Sequence, residues 1–151
     1  VWAAPQSWIE WVSEGKASLA AGNYQAGVDA FHKALANGES SKIPPRQLVE
    51  ITISLAAAYA ELGLYADSQR AWRQALAMVE KTEGTASLDY AVLLGNMLTL
   101  PNQTPISEKD IQTLRRVIVT ARKTDAPTDL ARVRACLANL LMRQLKYGEA
   151  E

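Results

Sequence analysis

Few side chains in this chain can do covalent or proton-transfer chemistry, and they lie far apart. His32 is the single histidine and Cys136 the single cysteine. A thiol activated by an imidazole needs the two groups within hydrogen-bond reach, and these two sit toward opposite ends of the sequence. Cys136 lies in an apolar helical run, where a lone cysteine packs as a small hydrophobe. It has no second thiol with which to form an internal disulfide or a cysteine-based metal cluster. His32, between Phe31 and Lys33, reads as a surface or capping residue. Glu10, Glu14 and Asp29 have the spacing of solvated helix faces rather than of a paired acid and base. Gly22, Gly27 and Gly38 are too scattered to cradle a phosphate, and no strand precedes them. These residues predict no enzyme, no catalytic group, no cofactor and no metal.

Two amides stand out instead. Asn96 lies within LLGNML and Asn139 within CLANLL, each among apolar neighbours. Asparagine is a middling helix former, so its presence there needs another reason. Its side chain both donates and accepts, which suits the main chain of an extended peptide. A local hydrogen bond between stacked helices satisfies the same chemistry, and both readings stand at this point.

The elements that position these groups are helices throughout, because no period-two alternation bounded by hairpin signals occurs. Eight segments are expected. The first runs from Ser7 to Ala21, with Ser7 as cap and Glu10 completing a capping box. The second runs from Tyr24 to Asn37. After the loop chemistry of Gly38 to Pro45, the third spans Arg46 to Leu62. The fourth follows Gly63 and ends near Lys81. Ser87 caps the fifth, which stops at Pro101. Ser107 caps the sixth, with Asp110 three residues on and Ile106 and Ile111 placed as a hydrophobic staple. Thr128 is expected to cap the seventh, running to Leu145, and an eighth begins at Tyr147.

One stretch is written almost twice. GNYQAGVDAFHKAL, Gly22 to Leu35, returns 41 residues later as GLYADSQRAWRQAL, Gly63 to Leu76. Breaks within helix pairs fall near Gly22, Gly63, Asn102 and Leu145, at intervals of 41, 39 and 43, and Leu48, Leu88 and Leu130 open new pairs at intervals of 40 and 42. Such a period signals stacked helical hairpins. Ala30 and Ala34, like Ala71 and Ala75, lie four apart on one face, so a neighbouring helix can approach closely. Phe31 and Trp72 fill the adjoining space. One hairpin cannot bury its apolar faces alone, whereas stacking buries them.

At these positions the chain resembles the tetratricopeptide repeat, in an extended-helix form with units of about 41 residues against the usual ~34. The family pattern places an aromatic, then Leu-Gly, then a large residue on the first helix of each pair, and Ala-x-x-x-Phe on the second. Trp11 and Gly15 match in the first unit, although Glu14 stands where Leu is expected. Leu55, Ala56 and Tyr59 match in the second, Leu94, Gly95 and Leu98 in the third, and Leu137, Ala138 and Leu141 in the fourth. On the second helices Gly27 with Phe31 and Ser68 with Trp72 fit, and Tyr147 with Ala150 would open a fourth. The helix from Ser107 to Lys123 lacks this signature. A related helical solenoid, such as a HEAT-like array, is the alternative.

The resemblance implies an all-α superhelix, a solenoid of about 3.5 repeats, over residues 7–151. Its units run from 7 to 43, 44 to 84, 85 to 126 and 127 to 151, the last incomplete. It also implies that first helices line a concave groove. Carried over, that groove takes Ile9, Val12, Lys16 and Leu19 from the first unit and Glu50, Ile53, Ala57 and Glu61 from the second. The third gives Asp89, Val92, Asn96 and Thr99, and the fourth Arg132, Ala135, Asn139 and Met142, with Arg143 adjacent. Within that set Lys16, Glu50, Ile53, Asn96, Arg132, Asn139 and Arg143 are the expected peptide contacts. In similar repeat proteins an asparagine at the place of Asn96 holds the bound peptide's main chain. The set that grips a terminal carboxylate in one use of this fold is incomplete: Val12 replaces a lysine and Ala57 an asparagine.

Composition narrows the partners. Across 151 residues, 16 basic side chains balance 16 acidic ones, so no overall field draws the chain to nucleic acid or to membrane. No apolar run reaches the length of a bilayer span. Basic residues gather at Arg115, Arg116, Arg122, Lys123, Arg132, Arg134, Arg143 and Lys146, against Asp125 and Asp129. That third of the chain would steer an acidic peptide, although a solvated helix face is the commoner explanation. No aromatics interleave with it for base stacking, and nucleic acid is not expected. Trp2, Trp8 and Trp11 cluster at the other end. Residues 1–6 read as an N-terminal extension or a signal-peptide remnant, with Ala3-Ala4 a candidate cut, so both a cytoplasmic and an exported protein stay open. With only the start of an eighth helix, Leu137, Leu140, Leu141 and Leu145 lack their usual cover. Further repeats, another domain or a homodimer would supply it. The sequence thus predicts a non-catalytic interaction module or scaffold for a protein or peptide partner. The alternative is an assembly or sensor segment of a larger protein.

Overall fold

The computed structural model describes residues 7–36, 43–101, 105–121 and 126–148, with residues 146–148 described by their backbone alone. Seven α-helices and no strand occur among the described residues: α1 Trp8–Ala20, α2 Tyr24–Ala36, α3 Pro45–Glu61, α4 Tyr65–Glu83, α5 Leu88–Leu98, α6 Glu108–Thr120 and α7 Pro127–Gly148. The fold class is all-α. Three starts are set by serine. Ser7 Oγ accepts from the Glu10 amide while Glu10 reaches back to the Ser7 amide. Ser107 and Asp110 form the same reciprocal box, and Ser87 accepts from the Tyr90 amide at 3.1 Å. Each bond satisfies an amide that the first helical turn would leave unpaired.

Two expected boundaries are corrected. Helix α7 begins at Pro127, and the Leu130 amide bonds the Ala126 carbonyl at 3.1 Å, so Ala126 stands at the cap in place of Thr128. Proline suits the first helical position because no intrahelical donor is needed there. Helix α7 also runs unbroken through Leu145 and Tyr147 to Gly148, so no separate eighth helix starts at Tyr147. Arg143-Gln144-Leu145-Lys146 are all good helix formers, and no glycine interrupts them.

The chain divides into two compact units, residues 1–75 and 76–151. In the first, the twin stretch makes the same joint twice. Gly22 at φ 77° and Gly63 at φ 74° take the left-handed conformation that ends a helix. After α1, the Asn23 amide bonds Ser18 O at 2.8 Å and the Gly22 amide bonds Leu19 O at 3.0 Å. After α3, Leu64 bonds Tyr59 O at 2.8 Å and Gly63 bonds Ala60 O at 3.0 Å, a one-for-one copy. Both helices end in this Schellman pattern, and the chain folds straight back.

Small residues then let the backbones meet. A Cβ on Gly15 would stand 2.7 Å from a Phe31 ring carbon, and one on Gly27 would stand 3.3 Å from the Gly15 carbonyl oxygen. In the second joint Ala56 replaces Gly15 and Ser68 replaces Gly27, with Ser68 Oγ donating to Ala56 O at 2.7 Å. Phe31 and Trp72, the paired aromatics, are both buried. Val12, Val28, Phe31, Ala34, Ile43, Ile51, Leu55 and Ala58 form one apolar cluster in this unit.

In the second unit α5, α6 and α7 pack on one another. Helix α6 buries Ile111, Leu114 and Val117, three apart, with Ala121 just beyond its end. It therefore packs through branched aliphatics, which is why it lacks the small-and-aromatic signature. Gly95 on α5 admits Cys136 of α7, whose Sγ lies 2.9 Å from where a Cβ would stand.

Candidate functional site

Of the expected contacts in the first unit, Lys16 and Glu50 are brought together. Lys16 Nζ on α1 lies 3.6 Å from Glu50 Oε2 on α3, both side chains about half exposed. Their charges answer each other across two helices. Ile53, one turn after Glu50, is half-buried, and Ala57 and Glu61 are exposed on the same helix. Two carried-over residues do not belong to an open surface. Val12 is 6% exposed and joins the core cluster with Ile51 and Leu55 of α3. Leu19 lies over Gly27, its Cδ2 2.6 Å from the place of the missing Cβ, so it closes the first joint.

Other pairs in this unit have no sequence signal, because they join residues distant along the chain. His32 Nε2 lies 2.7 Å from Tyr59 Oη. The Tyr59 phenol is held above its ordinary range by burial first, then by Asp67 and Asp29, with Arg70 opposing. Lys33 Nζ sits 4.5 Å from the centroid of the Trp11 ring, a cation–π arrangement. The indole nitrogens of Trp11 and Trp72 are buried and find no acceptor among the described residues.

The second unit places Asn96 on α5 and Asn139 on α7, both exposed. Neither side-chain amide is hydrogen-bonded among the described residues. Among the described residues neither makes the interhelical bond weighed in the sequence. The two helices adjoin through Gly95 and Cys136. Along α5, Asp89 and Asn96 are exposed and Val92 is half-buried, Thr99 at its C-cap is exposed, and Arg132, Ala135, Asn139 and Met142 are all exposed on α7.

The arginines are partly engaged. Arg132 lies 3.8 Å from Asp129 on its own helix. Arg143 Nη1 donates to Leu98 O at 2.9 Å. Leu98 ends α5, where carbonyls lack intrahelical donors and carry partial negative charge. Arg143 thus ties α7 to the end of α5. Arg115, Arg116 and Arg134 are exposed. Trp2, the Ala3-Ala4 candidate cut, Gly38, Asn102, Arg122, Lys123, Asp125 and Ala150 lie outside the described residues, as do the side chains of Lys146 and Tyr147.

No family model and no curated protein matches the chain. The chemistry therefore rests on the geometry. Burial pushes the Cys136 thiol up, which keeps it protonated and poorly nucleophilic near neutrality. Burial, then Glu80 and Asp110, likewise raise the Tyr90 phenol. Among the described residues no group of three His, Cys, Asp or Glu side chains is placed to hold a metal ion, and no helix is long and apolar enough to cross a membrane.

Proposed function

We propose that the chain is a tetratricopeptide-like array of helical hairpins that serves as a non-catalytic interaction module. It takes an extended peptide or partner segment along its first helices. The observation that carries this reading is the pair of exposed amides of Asn96 and Asn139, unbonded among the described residues and at equivalent places of the repeat on adjoining helices. A carboxamide held on a helix offers a donor and an acceptor to a passing main chain without an interaction tied to peptide sequence. Arg132 sits beside Asn139 in the α7 row and would meet an acidic side chain. Arg143 contributes by fixing α7 against α5.

The test is capture from the native source followed by calorimetric titration of the captured segment. Asn96→Ala with Asn139→Ala is expected to weaken binding by about tenfold or more while helicity stays unchanged. Undiminished binding by the double variant rules the assignment out. A second reading, assembly within a larger protein, is favoured by one observation. Met142 and Leu145 on α7 are 57% and 67% exposed, a large apolar surface for one helix.

A further inference from the structure

Helices α5 and α7 run side by side in the same direction. Gly95 meets Cys136, 41 residues on, and the Leu98 carbonyl meets Arg143, 45 residues on, so later residues of α5 face later residues of α7. These two ties bracket a separation of 43, which is the separation of Asn96 from Asn139. The two amides therefore stand at one level. The same offset pairs Val92 with Ala135 one turn back, and Asp89 with Arg132 two turns back. On each helix these three positions are spaced by three and then four, which puts them on one stripe.

The face is thus built of three rows. The amide row is neutral. The next is apolar, with Val92 half-buried and Ala135 exposed. The last carries opposite charges on its two helices, Asp89 on α5 and Arg132 on α7, both exposed. Asp89 has no ion-pair partner among the described residues. Arg132 pairs there only with Asp129 of its own helix, at 3.8 Å and with 69% of its side chain exposed. A pair so long and so open holds a guanidinium weakly.

A main chain held by both amides crosses from one helix to the other, about 8–10 Å between packed axes. In extended backbone, side chains two residues apart point to the same side and stand about 6.8 Å from each other. Two such side chains, directed toward the helix starts, lie one over α5 and one over α7. Each crosses the apolar row before it reaches a charge. Over α5 this suits lysine or arginine, whose methylenes cover Val92 while the cation meets Asp89. Over α7 it suits glutamate, whose stem rests on Ala135 while the carboxylate meets Arg132.

We propose that, resting on the main-chain role of Asn96 and Asn139, the α5–α7 face selects an extended segment of a partner protein that carries a lysine or arginine and, two residues away, a glutamate. The cation lies on α5 and the carboxylate on α7. Each carboxamide both donates and accepts, so either chain direction satisfies it. Lys-x-Glu and Glu-x-Lys therefore both fit, whereas two like charges set one of them against its own sign.

The probes are three fluorescein-labelled peptides, GTVKTETVG, GTVETETVG and GTVKTKTVG, titrated with the full chain and read by anisotropy. The mixed peptide is expected to bind about threefold to tenfold tighter than either like-charged one. The difference should shrink as sodium chloride is raised. Asp89→Lys should turn the preference to the Glu-Thr-Glu peptide and Arg132→Glu to the Lys-Thr-Lys peptide. Asn96→Ala with Asn139→Ala should weaken all three alike. Because Asp89 and Arg132 are exposed, circular dichroism should be unaltered, and should Asp89→Lys disturb the start of α5, Arg132→Glu alone decides. Binding that needs the asparagines but ranks the peptides identically in every chain would overturn the charge selection and leave the groove standing. Binding that the asparagine variant leaves unchanged would remove the groove and the selection together, as would absence of binding. Self-association of the chain that Arg132→Glu abolishes in sedimentation would make a second copy the occupant and overturn the proposal.

Discussion

Gly15 and Gly22 are both glycines of the first joint, and they are there for different reasons. Gly22 has φ 77° and open space where a β-carbon would stand, so only backbone conformation holds it. Gly15 is helical, and a Cβ there would stand 2.7–2.9 Å from three carbons of the Phe31 ring. Phe31 is itself fully buried and has no room to retreat. Gly22→Ala is therefore expected to cost about 1 kcal/mol through left-handed strain. Gly15→Ala should cost about 1–3 kcal/mol through overpacking, despite the gain in helix propensity. Urea unfolding of the two variants checks the order. A stabilised Gly15→Ala protein would mean that α1 and α2 adjust freely, which the fit at Phe31 argues against. Sequence alone marks Gly22, since the repeat at Gly63 names a turn. It does not separate Val12 and Leu19 from the open row, because both look like any apolar residue at that spacing. Only the approach of α3 to one and of Gly27 to the other decides their direction.

Among the helices, the serine-capped starts were legible, whereas the start and the end of α7 were not. Ser7, Ser87 and Ser107 announce their helices because a short hydroxyl side chain at that place has one dominant use, to accept from an amide of the first turn. The expected break at Leu145 rested on the spacing of other breaks, yet the four residues there favour helix and α7 continues. Spacing carries no energy of its own; glycine at Gly22 and Gly63 does. The candidate site divides the same way. Asn96 and Asn139 stand out as polar residues in apolar runs, whereas the bond from Arg143 to the end of α5 joins residues 45 apart and has no local signal. At this scale the Ser107–Asp110 box is the cleaner test, because Ser107 is bonded in both directions and lies in the open. Ser107→Ala should cost about 1 kcal/mol, and Ser107→Gly only a few tenths. Equal losses in thermal unfolding would show that something other than the cap fixes the start of α6.

For the molecule as a whole, the question is whether stability is held in common or unit by unit. The proposed stack of hairpins makes a definite statement, since each hairpin of such an array leans only on its neighbours. Phe31 is fully enclosed in the cluster formed with Val12, Val28, Ile51 and Leu55, all within residues 1–75. Leu114 and Leu140 are as fully enclosed in residues 76–151. Phe31→Ala should cost about 3–5 kcal/mol, the transfer of a phenyl ring plus the cavity it leaves. In a nearest-neighbour array this loss appears as faster hydrogen exchange in α1, α2 and α3, with the amides of α6 and α7 nearly as slow as before. In a single cooperative core the same substitution accelerates exchange everywhere by the same factor. Leu114→Ala gives the mirror experiment, with α6 and α7 loosened and α1 and α2 spared. Uniform acceleration in both variants would contradict the array.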